Sequence, residues 1–175
     1  MKRAFDSVMR FGSHADDPDH WHYSPPVCPT WKWKPEHRPQ CNAILAWMLG
    51  IPCTCVGVPV TPDRGLWLAG QPGTGKTTLM RAVRLLCRTY ADSRSPNLPR
   101  LMRWMHAKDV VAAYEENGVS ALNELIFDVP TLIIDDVGTE NMAAMRFGNV
   151  RKAVEDVVSR RYDQGKITMV TTNFN

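Results

Sequence analysis

Hydrophobic residues recur along this chain with a helical period in three stretches. Their spacing of three and four residues predicts helices with one apolar face. The first face consists of Cys41, Ile44, Leu45, Met48 and Leu49, in a helix that ends at Pro52. The second consists of Leu79, Val83, Leu86 and Tyr90. The third consists of Val150, Val154, Val157 and Val158, in a long helix from about Met145 to Tyr162. Two shorter helical pieces are predicted around 108–116 and 120–127.

Four short apolar runs separate these helices and predict strands. They read GLWLAG (65–70), LMRWMHA (101–107), TLIIDD (131–136) and ITMVTT (167–172). Apolar runs with little polar alternation are typical of strands buried on both faces of a parallel sheet. Strands that alternate with helices predict right-handed crossovers. We therefore expect an α/β protein with three layers, in which helices cover both faces of a parallel sheet.

The first 40 residues have a different composition from the rest. They hold six prolines, four of the five histidines and three of the six tryptophans. We expect an irregular N-terminal arm over 1–40 and a core domain over 41–175, because proline disrupts helices and central strands. The segment WKWKPEHR (31–38) has the aromatic and basic residues that would stack on single-stranded bases. Packing of its tryptophans on the core is the alternative that we favour.

Length and composition set wider limits. With 175 residues, 44% hydrophobic and 22% charged, the chain has the composition of a globular domain. A net charge of +3 permits contact with nucleic acid without arguing for it. We find no signal peptide and no apolar run long enough to cross a bilayer, so we expect a cytoplasmic protein without a membrane partner. Five cysteines without a C-x-x-C pair fit a reducing compartment better than a zinc site.

The segment GQPGTGKT (70–77) carries the clearest chemistry. It follows a predicted strand and opens a predicted helix, as the phosphate-binding P-loop, or Walker A motif, does. Its glycines let successive N–H groups point inward, and the helix directs its positive end at the phosphates. Lys76 is expected to reach the β- and γ-phosphates, and Thr77 to ligate Mg²⁺. The predicted nucleotide-binding residues are Gly70, Gln71, Pro72, Gly73, Thr74, Gly75, Lys76, Thr77 and Thr78.

Polar side chains at the ends of two other strands complete the candidate site. Asp135 ends a buried strand, where a carboxylate lies near the Mg²⁺ ion in P-loop proteins. Asp136 is then placed to orient or deprotonate the attacking water. Asn173 follows the last strand and is expected to hydrogen-bond the γ-phosphate or that water. We predict Lys76, Asp136 and Asn173 as catalytic residues, and Thr77 and Asp135 as the metal ligands.

Taken in order, these motifs resemble a known family. GLWLAGQPGTGKTTLMRAV, MHAKDVVAAYEE, LIIDDVGTE and RRYDQGKITMVTTN are similar in order and spacing to AAA+ ATPases of the DnaC/IstB helicase-loader type. The resemblance covers about 66–173. It implies ATP as the nucleotide, a nucleotide-dependent homo-oligomer, single-stranded DNA, and a replicative helicase or a transposase as partner. It also implies the strand order 5-1-4-3-2.

The chain departs from this family in two ways. AAA+ proteins commonly have glutamate where Asp136 stands, and the shorter side chain implies slow hydrolysis. The family also continues, after the position of Asn173, into a fifth strand, an arginine finger and a small C-terminal region, which acts as a lid. Without the fifth strand, GLWLAG would lie at an unpaired edge of the sheet. Either the N-terminal arm covers that edge or the sequence is a fragment, which is the alternative that we favour. Four arginines, Arg146, Arg151, Arg160 and Arg161, are expected on the solvated face of the long helix rather than at the site.

Two other functions stay open from the sequence. GQPGTGKTT also resembles small P-loop kinases that phosphorylate metabolites, although the arginine-rich lid of those enzymes is not evident. A non-hydrolysing, ATP-dependent interaction module is the other alternative. The short Asp136 side chain and the lack of an arginine finger in this sequence favour that alternative slightly. The leading prediction is an ATP-driven accessory protein of DNA replication or transposition that remodels a DNA-bound partner.

Overall fold

A computed structural model describes residues 35–90, 102–138 and 150–173. Within these ranges the chain forms two compact units. The first contains 35–63 and 78–90, and the second contains 64–77, 102–138 and 150–173. Most of the predicted arm, the loop at 92–99 and the start of the predicted long helix lie outside the described residues. No helix in the described residues is long and apolar enough to cross a membrane.

The first unit begins with a helix. A short 3-10 turn, Pro35–His37, leads into helix α1, Arg38–Met48. The prediction of irregular structure does not hold for 35–40, because Pro39 lies in the first helical turn, where its missing N–H is not needed. The predicted apolar face of α1 is buried except at Leu49, which follows the helix and is exposed. The buried residues are Cys41, Ala43, Ile44, Leu45, Trp47 and Met48.

A β-hairpin follows α1 and was not predicted. Strands β1, Cys53–Cys55, and β2, Val58–Val60, pair antiparallel around a two-residue turn. Both turn residues have positive φ, +49° at Val56 and +79° at Gly57, as the tightest hairpin turns require. A β-branched residue is rare in that conformation, and Pro59 occupies the second strand. Because of these two residues, the sequence does not predict the hairpin.

Helix α2, Lys76–Tyr90, starts in the second unit and continues in the first. Its buried residues include the predicted Val83 and Leu86, and add Met80, Ala82, Leu85 and Cys87. Burial raises the pKa of the Cys87 thiol to about 12, so this cysteine stays protonated and unreactive at neutral pH.

The second unit is built on a four-stranded parallel sheet. Its strands are β3, Trp67–Ala69; β4, Met102–His106; β5, Thr131–Val137; and β6, Ile167–Thr172. They lie in the order β3-β6-β5-β4, so the last strand is inserted between the first and the third. All four predicted strands are confirmed. Their order is the one that the helicase-loader resemblance implies for them.

Helical segments pack against one face of this sheet. They are α3, Ala107–Asn117; a 3-10 turn, Gly118–Leu122; a π-helical turn, Glu124–Asp128; and α4, Val150–Asp163. Leu132 and Ile134 of β5 meet Val110, Ile126 and Val157 in one apolar cluster. Ile133 and Met169 are also fully buried, so apolar residues on both faces of the sheet are shielded from solvent. The predicted α/β class with a parallel sheet is confirmed.

Arg161 is buried within this unit, and its predicted position on a solvated face is wrong. All five of its donor hydrogens have acceptors: Nε donates to Thr168 Oγ1, and the two terminal nitrogens donate to the carbonyl oxygens of Leu125, Val129, Pro130 and Ile167. Burial lowers the pKa of Arg161 to about 10, so the side chain remains charged at neutral pH. It ties α4 to the start of β6 and to the loop that enters β5.

Replacing Arg161 with methionine should destabilise the protein by about 3 kcal/mol, because four carbonyl oxygens, two of them in buried hydrogen bonds, lose the guanidinium donor. The matched control is Arg160→Met on the exposed side of the same helix. The control should change the unfolding free energy by less than about 0.5 kcal/mol. Urea denaturation of both variants measures the difference, and equal midpoints would show that the carbonyl contacts contribute little.

Candidate nucleotide-binding site

The loop between β3 and α2 carries the predicted phosphate-binding motif. Gly73 and Gly75 have φ values of +79° and +87°, which are strained for any residue with a Cβ atom. A Cβ atom at either position would meet nothing within 4 Å. The glycines are therefore required by the backbone conformation and not by a lack of space. Turns of this kind direct successive N–H groups into one concave surface that suits an anion.

Side chains of the loop hold its shape. Thr74 donates its hydroxyl hydrogen to the Gln71 carbonyl oxygen over 2.8 Å. The Lys76 ammonium donates to the carbonyl oxygens of Gly70, at 2.8 Å, and Gln71, at 2.9 Å. The lysine charge thus lies on the loop itself, next to the N-terminus of α2. A helix N-terminus and a lysine together make this end of β3 attractive to phosphate.

The carboxylate of Asp135 is fully buried at the end of β5. Its Oδ1 atom accepts hydrogen bonds from the hydroxyl groups of Thr77, at 3.0 Å, and Thr171. Its Oδ2 atom has no hydrogen-bond partner among the described residues, and His106 Nδ1 lies 3.8 Å from it. One oxygen is therefore held in place, while the other remains available to a ligand.

Strand β5 has a β-bulge at Asp135 and Asp136, where it pairs with β6. Ile134 pairs with Val170 and Val137 with Thr172, so Asp135 and Asp136 together oppose the single residue Thr171. Asp136 adopts φ +60°, and its N–H donates to Thr171 Oγ1 at 2.9 Å. The threonine hydroxyl accepts from one aspartate and donates to the other. Bulges redirect side chains next to functional sites, and a non-glycine residue at positive φ stores backbone strain.

The structure brings several predicted site residues together. Thr77 and Asp135 are in direct contact, Lys76 contacts Gly70 and Gln71, and Asp136 lies beside Asp135. Asn173 is half-buried and comes directly after β6, one residue past the pair formed by Thr172 and Val137. Pro72 is exposed in the loop, and Thr78 is the half-buried third residue of α2. The roles of these residues stay predictions.

Two residues that the sequence analysis did not assign lie in the same place. Thr171 links both aspartates, and His106 pairs with Asp135 in the register of β4 and β5. The position of His106 could have been predicted, since the implied strand order places its strand next to TLIIDD. Thr171 depends on the bulge, which the sequence does not reveal.

The donor set around Asp135 fits a magnesium ion. Mg²⁺ prefers oxygen ligands, and a threonine hydroxyl and a carboxylate are present within hydrogen-bond distance of each other. Thr77 and Asp135 are the residues that would hold the ion.

Solved structures of replication proteins share this fold. No protein-family profile and no curated protein sequence matches the chain. The structure of AMPPCP-bound DnaA from Aquifex aeolicus matches 82% of the chain at 14% identity, with a TM-score of 0.52. Domain III of the Thermotoga maritima replication initiation protein DnaA matches 83% at 19% identity, with a TM-score of 0.54. DnaI matches 83% at 18% identity, with a TM-score of 0.53.

The chain shares the α/β fold of these structures, with its parallel sheet. The resemblance to replication initiators and helicase loaders is confirmed at the level of the fold, since the identities are below 20%. The match spans 40% of the Aquifex DnaA chain, 54% of the Thermotoga domain and 70% of DnaI.

Thr171→Val should lower the unfolding free energy by about 1–3 kcal/mol, because the change leaves the Asp136 N–H unsatisfied and removes a donor from a buried carboxylate. Thr54→Val makes the same chemical change at an exposed position of β1 and should have little effect. Chemical denaturation compares the two. If Thr171→Val is as stable as Thr54→Val, the hydroxyl does not hold the aspartates.

Proposed function

We propose that this chain binds and hydrolyses ATP with Mg²⁺ and acts as an AAA+ accessory protein of DNA replication or transposition. The observation that carries the proposal is the contact between the Thr77 hydroxyl, at the start of α2, and the buried Asp135 carboxylate. This contact joins the end of the glycine-rich loop to β5, which carries the two aspartates near its carboxyl end. The same pair of groups holds the metal ion and the phosphates in P-loop NTPases.

Phosphate recognition would rest on the loop 70–77, with Thr78 as a further predicted contact. The positive φ values of Gly73 and Gly75 support inward-facing N–H groups. Among the described residues, the Lys76 ammonium donates to the carbonyl oxygens of Gly70 and Gln71. A phosphate is a stronger partner for an ammonium group than a carbonyl, so Lys76 would exchange these contacts for a phosphate oxygen.

Thr77 and Asp135 would hold Mg²⁺, which neutralises charge on the phosphates when it is bound. Thr171 fixes the orientation of Asp135 through Oδ1. Asp136 and Asn173 would orient the attacking water, with Asp136 as the acceptor of its proton. Asp136 is one methylene shorter than the glutamate common in AAA+ proteins, which favours slow hydrolysis.

The similar structures support the biological setting. One is a DnaA bound to the ATP analogue AMPPCP, and another is described as a DNA replication initiation factor. We therefore infer single-stranded DNA, a replicative helicase or a transposase, and further copies of this chain as partners, with a cytoplasmic location. In this account nucleotide binding stabilises the assembly, and remodelling of the DNA-bound partner follows.

Lys76→Ala should weaken ATP binding by about 10- to 100-fold, because one charge-assisted hydrogen bond contributes about 1.5–3 kcal/mol. The control is Lys108→Ala, which removes an exposed lysine from α3 and should leave affinity unchanged. Calorimetric titration of ATP with Mg²⁺ measures both. Equal affinity in the wild type and Lys76→Ala would contradict the proposed phosphate site.

ATP turnover should rise more than linearly with protein concentration and increase with single-stranded DNA, if subunits complete one another's sites. The assay measures phosphate release across a protein titration, with Lys76→Ala as the blank. A phosphorylated small molecule as product would instead establish a metabolite kinase. Tight binding with no turnover under any of these conditions would establish a non-hydrolysing module.

Gly73→Ala should weaken ATP binding and also cost about 1–2 kcal/mol of stability from the strain of positive φ. Gly165→Ala is the matched control, since Gly165 has φ +63° and open space around it but follows α4, outside the phosphate loop. Both variants should be destabilised, and only Gly73→Ala should lose affinity. Equal affinities would show that the loop conformation is not needed for the nucleotide.

A further inference from the structure

His106 and the two aspartates form a cluster that the ATP site does not use fully. In the parallel register, His106 at the end of β4 pairs with Asp135 on β5. The distance of 3.8 Å between His106 Nδ1 and Asp135 Oδ2 is too long for a hydrogen bond. Thr77 contacts the other oxygen, Oδ1. The imidazole therefore faces the carboxylate oxygen that lies away from the threonine contact.

Asp136 adds a third donor to this cluster. His106, Asp135 and Asp136 each place one ligand atom in the cluster, and these three atoms lie within 4.8 Å of one another. Ligand atoms that share one divalent cation at about 2.1 Å lie up to about 4.2 Å apart. The distance of 3.8 Å between His106 Nδ1 and Asp135 Oδ2 already lies in that range.

The buried Oδ2 atom is an independent sign of a ligand at this place. Asp135 has no solvent exposure, and Oδ2 has no hydrogen-bond partner among the described residues. A buried carboxylate oxygen without a donor is costly, whereas a bound cation removes that cost. The orphaned atom faces the one nitrogen ligand of the cluster.

We propose that His106 Nδ1, Asp135 Oδ2 and a carboxylate oxygen of Asp136 form a binding site for a divalent transition-metal ion of the Mn²⁺ or Zn²⁺ type. An imidazole ligand favours such ions, whereas Mg²⁺ prefers an all-oxygen set. This site goes beyond the proposed ATPase function and shares only Asp135 with the predicted magnesium ligands. It does not require nucleotide, so it can be tested in its absence.

The experiment measures Mn²⁺ binding to the nucleotide-free protein by the loss of the free-ion EPR signal. Replacing His106 with alanine should weaken Mn²⁺ binding by about tenfold or more, since even indirect supports of a metal site contribute about 10- to 100-fold. In the wild type, excess Mg²⁺ should displace Mn²⁺ poorly, and Zn²⁺ should displace it readily. In His106→Ala, Mg²⁺ should compete more effectively.

Controls separate this site from other ligands in the chain. His37→Ala removes a histidine outside the cluster and should leave Mn²⁺ affinity unchanged. His106→Gln keeps the side-chain bulk without an imidazole and should behave as His106→Ala, which guards against a packing effect. Asp135→Asn should lose the site as well.

Several results would overturn the proposal. If Asp135→Asn weakens Mn²⁺ binding but both His106 variants do not, the ion is held by oxygen ligands alone. If none of these variants weakens binding, no transition-metal site exists at the cluster. Either result leaves the ATP proposal intact, because ATP affinity is measured separately through Lys76→Ala.

Discussion

The carboxylate of Asp135, near the end of β5, has no access to solvent. The contacts around it compensate the cost of burying its charge. A buried charge is costly unless hydrogen bonds or a cation compensate it. Thr77 and Thr171 supply hydroxyl donors to one oxygen of Asp135, while Oδ2 has no hydrogen-bond partner among the described residues. The first threonine lies at the start of α2, directly after the glycine-rich loop, and the second lies in the inserted strand β6. One side chain thus connects three elements of the second unit.

The strand order makes these contacts possible. Because β6 lies between β3 and β5, its Thr171 reaches the aspartates, and the bulge at Asp135 and Asp136 sets both against that one hydroxyl. Arg161 supports the same region from the other end of β6, through the carbonyl oxygens of Ile167 and of the residues before β5. A fixed sheet with an irregular carboxyl-terminal edge is therefore the structural basis of the candidate site.

Much of the fold could be predicted from the sequence because its signals are local. The glycine-rich loop, the apolar strands and the helical faces each depend on neighbouring residues, and the four strands appear where the runs predicted them. Contacts set by the three-dimensional fold were missed. The bulge, the strained φ of Asp136 and the link through Thr171 depend on strand register. The burial of Arg161 depends on carbonyl acceptors that lie 31 to 36 residues earlier in the chain and on one in β6. The hairpin was missed because Val56 and Pro59 contradict the usual rules for turns and strands.

The role of the buried carboxylate is best tested by the dependence of ATP affinity on Mg²⁺ in the wild type and in Asp135→Asn. Asparagine keeps the size of the side chain and an oxygen acceptor for the two threonine hydroxyls, but it removes the charge. Mg²⁺ should raise the ATP affinity of the wild type on the order of tenfold, a usual strength of coupling between two ligands. Asp135→Asn should lose this dependence and keep the binding due to the loop. An undiminished effect of Mg²⁺ in Asp135→Asn would contradict the central role of the buried carboxylate.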